Sequence, residues 1–82
     1  MRLDKYLKVS RIIKRRTVAN DAASRQRVSV NGRVVKPAYD VKSGDVIEIA
    51  FGERVLRVEV LSTPAHVSKE GAAALYRVLE EE

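Results

Sequence analysis

The chain contains no cysteine, one histidine, two prolines and few aromatic residues. Without thiols there is neither a disulfide nor any zinc site that depends on thiolates. A single His66 gives no basis for a histidine-ligated metal, and no cofactor is expected. With aromatics at only 5% of residues, the core must be built from Val, Ile, Leu and Ala. No apolar run approaches the roughly 20 residues of a membrane span. The basic N-terminus is not followed by an apolar stretch, so no signal peptide is expected. There is no nucleophile–base pattern, no glycine-rich phosphate loop and no H-E-x-x-H motif, and no enzymatic activity is predicted.

What the chain does carry is positive charge, unevenly placed. Its 82 residues have a net charge of +5. Residues 1–36 hold eleven Lys/Arg and two acids, whereas residues 37–82 hold five Lys/Arg and nine acids. One half is therefore suited to a polyanion while the other keeps the molecule soluble. A length of 82 residues allows one domain. We expect a single unit over 1–82, with a core at about 1–51 and an extension at 52–82.

Periodicity gives the elements. From about Arg2 to Ser10, Leu3, Tyr6 and Leu7 share one helical arc and Arg2, Asp4, Lys5 and Lys8 the other. Arg11 and the run Lys14-Arg15-Arg16 follow, with Ile12 and Ile13 expected beneath the domain. Thr17 is the expected N-cap of a second helix from Val18 to Arg25 or Gln26, burying Val18, Ala19, Ala22 and Ala23. Val28-Ser29-Val30 and Arg33-Val34-Val35 flank Asn31-Gly32, a strong hairpin signal. Strands are expected at Val46–Phe51 and Arg54–Leu61. Ser68 is read as the cap of a final helix carrying Ala72, Leu75, Tyr76 and Leu79, fraying at its closing glutamates. The class is α+β.

Arg2, Lys5, Lys8, Arg11, Lys14, Arg15 and Arg16 form the candidate anion-binding group, since guanidinium forks and ammonium groups are what phosphates require. Arg33 and Lys36 are candidates to extend it, with Arg25 and Arg27 in second rank. Asp4 has two readings. As an acid in a first helical turn it suits the helix dipole and a pair with Lys8. Alternatively it fixes a neighbouring arginine fork, or meets a 2′-hydroxyl or base edge. Tyr6 is expected in the core rather than on a base.

The motifs M-R-L-D-K-Y-L, R-x-x-K-R-R-T, V-x-V-N-G, K-P and D-V-K-S-G-D-x-I occur in this order over about residues 1–51. Together they resemble the S4 RNA-binding domain family. The start of the chain, F-G-E-R-V-L-R-V-E-V and A-A-A-L-Y-R-V-L-E-E resemble its small stand-alone RqcP branch of ribosome quality-control factors. The resemblance implies the S4 (αL-type) fold, with two N-terminal helices packed on a small twisted antiparallel sheet. It implies a cytoplasmic, ribosome-associated RNA-binding adaptor. The implied partners are 23S rRNA of a large subunit obstructed by peptidyl-tRNA, that tRNA itself, and an RqcH-type factor that adds alanine tails. It also makes Arg2 and Arg16 the leading RNA contacts and favours a functional role for Asp4. A related heat-shock branch that binds such subunits is the alternative; its long basic C-terminal extension is absent from this acidic ending. Other readings are a general structured-RNA binder, a fragment of an S4-containing enzyme, and a protein-interaction module acting through residues 37–82. A monomer is expected.

Overall fold

A computed structural model describes residues 1–64, 67–68 and 70–81, so His66 lies outside the described residues. Helix α1 (Leu3–Val9) and helix α2 (Arg16–Ser24) precede strands β1 (Val28–Val30), β2 (Arg33–Val34), β3 (Val46–Phe51) and β4 (Arg54–Val60). A single 3₁₀ turn at Ala72–Leu75 then leads into β5 (Tyr76–Glu81). The strands form one antiparallel sheet in the order β2-β1-β3-β4-β5.

Alternation along the strands gives the sheet its two faces. Val28 and Val30 pair with Ile49 and Ile47, which pair in turn with Leu56 and Val58. This face receives Leu3, Tyr6 and Leu7 of α1 and Ala19 and Ala23 of α2, all buried in one aliphatic core. On the other face Glu48 meets Arg57 at 2.8 Å, a cross-strand ion pair in the solvated layer. Small side chains on α2 let the two helices approach closely.

Three expectations are corrected, and one, the Asn31-Gly32 turn, is extended. Helix α2 begins at Arg16, with Arg15 at the cap position and no side-chain cap bond, so Thr17 lies within the helix. The first amides of an exposed helix end can be satisfied by water, so no cap is required. Val18 is 51% exposed instead of buried. Ala19 and Ala23 set the inward direction, and Val18 falls well off it at 100° per residue. Asn31-Gly32 does more than turn, as its side-chain bonds below show.

The largest correction is the final helix, which is absent from the described residues. Ala72 and Leu75 are buried, so the helical spacing seen in the sequence corresponds to one 3₁₀ turn. Ser68 serves that turn, its hydroxyl accepting from the Gly71 amide at 3.2 Å. Beyond it Tyr76 pairs with Val60, Arg77 with Glu59 and Val78 with Val58. As a strand this segment covers the edge of β4, satisfies its backbone groups and forms an Arg77–Glu59 ion pair. As a helix it would have placed its closing glutamates against the negative end of the dipole.

Asn31 and Gly32 have φ of 52° and 84°, the left-handed pair a type I′ turn needs. The Asn31 side chain also accepts from the Val46 amide at 2.9 Å and donates to Asp45 at 3.1 Å. It thereby ties the β1–β2 hairpin to the turn that opens β3.

Candidate nucleic-acid interface

The site is built around one buried acid. Arg2 stands at the start of α1 with extended backbone, held there by a bridge to Asp40. Asp4 follows two residues later in the first turn, and its amide donates to the carbonyl of Pro37 at 3.2 Å. The Asp4 residue is 2% exposed.

Burial of a carboxylate requires partners, and these come from both helices. Arg2 donates through Nε to Oδ1 at 3.1 Å and through Nη2 to Oδ2 at 3.2 Å, a two-pronged fork. The Lys5 amide donates to Oδ1 at 2.8 Å. From α2, Asn20 Nδ2 donates to Oδ2 at 3.2 Å, and Arg16 Nη2 lies 3.5 Å from Oδ1. Burial alone would raise the Asp4 pKa. The hydrogen bonds from Arg2, Asn20 and Lys5, together with the Arg16 charge, outweigh it and hold the carboxyl below its ordinary value.

The two guanidinium groups thus share one counter-ion. Their side chains remain 50% and 49% exposed, so each presents N–H groups outward at a spacing set by Asp4. The Arg2 fork and the singly paired Arg16 carry one net positive charge after Asp4 is counted, and Lys5 adds another. An anion meeting them encounters donors whose rotamer entropy is already spent.

Arg16 forms the wall between two open concavities. One, of about 340 Å³, is lined by Asp4, Arg16, Thr17 and Asn20. The other, of about 540 Å³, is lined by Met1, Arg2, Lys5, Arg16 and Thr63. The second draws a hydroxyl from the segment after β4 into a site otherwise made by the N-terminal half.

Of the candidate residues, Arg2, Asp4, Lys5 and Arg16 come together here. Lys8 is exposed in the last turn of α1, and Arg11, Lys14 and Arg15 are exposed along the α1–α2 connection. Arg11 holds a left-handed φ of 61° as the chain leaves α1. Lys36 lines a separate groove beside the end of α2. Arg33 sits next to the hairpin turn, opposite Val30, and does not join the Asp4 cluster. Arg25 is paired with Asp21 at 3.1 Å. Tyr6 is fully buried, and burial beside Tyr76 raises its phenol pKa above the ordinary range, so it offers no surface to a base.

Sequence reasoning missed Asn20 and Thr63. Asn20 had a faint signal, an amide four residues after Arg16 between two inward-facing alanines. Thr63 had none, because only the tertiary fold carries it to Arg2.

These features define a class: a small α+β domain whose two N-terminal helices present an acid-organised cation cluster. Comparison with known proteins agrees. A sequence model of the S4 domain matches residues 1–47, and the chain belongs to the S4 domain family. It is 52% identical over 81 residues to the RQC P-site tRNA stabilizing factor of Streptococcus pneumoniae, covering 99% of this chain and 92% of that protein. It is 48% identical over 82 residues to the protein of the same name in Bacillus subtilis, covering 100% of this chain and 95% of that one. Among solved structures it is similar to the trimeric heat shock protein 15 of Vibrio cholerae, with a TM-score of 0.86 and 28% identity. That similarity spans 95% of this chain and 80% of the other.

Proposed function

We propose that this chain is a non-catalytic RNA-binding adaptor of ribosome quality control. It binds a large ribosomal subunit that still carries peptidyl-tRNA and steadies the tRNA while the stalled chain is extended with alanine. The observation that carries this reading is the pair of half-exposed guanidinium groups that share buried Asp4 as counter-ion. Such a pair grips phosphates of a folded RNA at a fixed spacing, and recognition then follows backbone shape more than sequence. The names of relatives near 50% identity over the full chain support the tRNA and the quality-control setting.

In this reading Arg2, Lys5 and Arg16 make the first phosphate contacts, and Asp4 orients the arginines without itself touching RNA. Its carboxylate is buried and already accepts from Arg2, Asn20 and Lys5. Lys8, Arg11, Lys14 and Arg15 continue the contact along 23S rRNA or the tRNA, and Lys36 and Arg33 extend it toward the hairpin. The factor works as a cytoplasmic monomer beside an RqcH-type alanine-tailing partner.

The test is co-sedimentation with large subunits, with and without peptidyl-tRNA, across a salt series. Release of bound counterions makes binding fall steeply with salt. Arg2→Ala and Arg16→Ala should each weaken association and reduce the logarithmic salt slope by about one. Unchanged sedimentation of both variants refutes the reading.

The fold similarity to heat shock protein 15 favours one second reading, rescue of dissociated subunits without tailing. Loss of alanine tails in cells lacking this factor separates the two.

A further inference from the structure

A second groove lies at the other end of α2. It has a volume of about 400 Å³, and its lining includes Ala23, Ser24, Gln26, Val35, Lys36 and Pro37. Ala23, Val35 and Pro37 give it apolar lining, Gln26 and Ser24 supply an amide and a hydroxyl, and Lys36 supplies a cation. None of these side chains belongs to the Asp4 cluster. One backbone bond links the two regions, the Pro37 carbonyl accepting from the Asp4 amide. Along α2 the distance from Arg16 to Ser24 is about 12 Å at the helical rise.

Gln26 is the informative residue. Helix α2 ends in a paired-bond motif, with the Gln26 amide donating to Ala23 and the Arg27 amide to Ala22. This ending places Gln26 at a left-handed φ of 62°. Glycine is the ordinary occupant of that position, since a side chain there is strained. A non-glycine residue at such a position motivates the search for a use of its side chain. Here that side chain forms the polar wall of a groove with a cationic rim.

We propose that this groove is a subsite for one unpaired nucleotide of the bound RNA; the proposal rests on the RNA-binding reading above. The base lies against Val35 and Pro37 and directs its edge to the Gln26 amide and the Ser24 hydroxyl. Its phosphate lies near Lys36. An amide can donate and accept, so it suits a base edge, which backbone-reading arginines do not address. The subsite would let a protein that otherwise reads backbone shape favour a paired RNA helix bearing a bulged or loop nucleotide.

The test uses the full chain and two labelled RNA hairpins, one fully paired and one with a single bulged nucleotide. Wild type should prefer the bulged hairpin by about two- to tenfold, the worth of roughly one net hydrogen bond. Gln26→Gly accepts the left-handed backbone, so it should melt no lower than wild type. It should bind the paired hairpin as before and lose the preference. Val35→Ala should shrink the preference in the same direction, and Arg2→Ala should weaken both hairpins alike. Equal wild-type affinity for the two hairpins overturns the subsite, while the RNA-binding reading survives if Arg2→Ala still weakens both. Failure of wild type to bind either RNA overturns both readings. If Gln26→Gly lowers association with large subunits but changes neither hairpin, the groove belongs to a ribosomal protein, and the nucleotide assignment is wrong.

Discussion

The hydroxyl of Tyr6 donates to the carbonyl of Leu75 at 2.9 Å, joining residues 69 apart in sequence. The same carbonyl accepts from the Leu61 amide at 2.8 Å. Helix α1, which carries half of the cation cluster, is thereby fastened to the junction of the 3₁₀ turn and β5. Tyr6→Phe removes one donor but leaves the carbonyl paired through Leu61. It should cost about 0.5–1.5 kcal/mol, toward the lower end, with unchanged binding to large subunits. Thermal or denaturant unfolding reads the cost, and a loss above about 3 kcal/mol would show that Tyr6 does more than donate.

Asp4→Asn tests the clamp without emptying it. The substitution keeps the shape but removes the charge that draws in Arg2 and Arg16. Loss of charge-assisted bonds should destabilise the fold by about 1.5–3 kcal/mol. Association with large subunits should fall even though the net positive charge rises by one. A simple electrostatic surface would bind more tightly, so the sign of the change separates organisation from bulk charge.

Acid should act through the same carboxylate and through Asp40, which the Met1 ammonium holds below its ordinary value by a 2.7 Å hydrogen bond. Both groups have folded pKa values lowered from those of the unfolded chain. Their stabilisation is therefore complete above the unfolded carboxylate value of about 4 and is lost as pH falls through the folded values. Melting temperature should hold steady above about pH 5 and drop below about pH 4. Asp4→Asn should make that drop shallower; an unaltered acid limb would exclude Asp4 as a contributor.

Asn31→Ala removes the side-chain bonds to Val46 and Asp45 and strains a left-handed position. We expect a loss of about 2 kcal/mol, the combined scale of a lost hydrogen bond and an unfavourable φ. Asn31→Gly keeps the backbone freedom and should recover part of it. If alanine and glycine cost the same, the backbone is not the issue and the side-chain bonds carry the whole effect.

Gln26→Gly should stabilise the fold by about 0.5–1 kcal/mol by relieving a left-handed side chain. Chemical denaturation measures this independently of any RNA. A destabilised variant would mean that the Gln26 side chain is held by packing.

The helical spacing of Leu3, Tyr6 and Leu7, the Asn31-Gly32 turn and the cationic first half were all legible in the sequence. Each depends on residues within a few positions of one another, where helical period, turn chemistry and charge act locally. The alliance of Asp4 with Asn20 and Arg16 was not legible, because it requires α2 to dock on α1. Nor was β5. Ala72, Leu75, Tyr76 and Leu79 satisfy a helical period, yet the open edge of β4 lies across the sheet from them and makes the strand the better burial. Local periodicity determined the elements that close on themselves. Tertiary contact decided those whose hydrogen bonds and counter-charges are supplied from distant parts of the chain, since only the assembled fold brings such partners within reach.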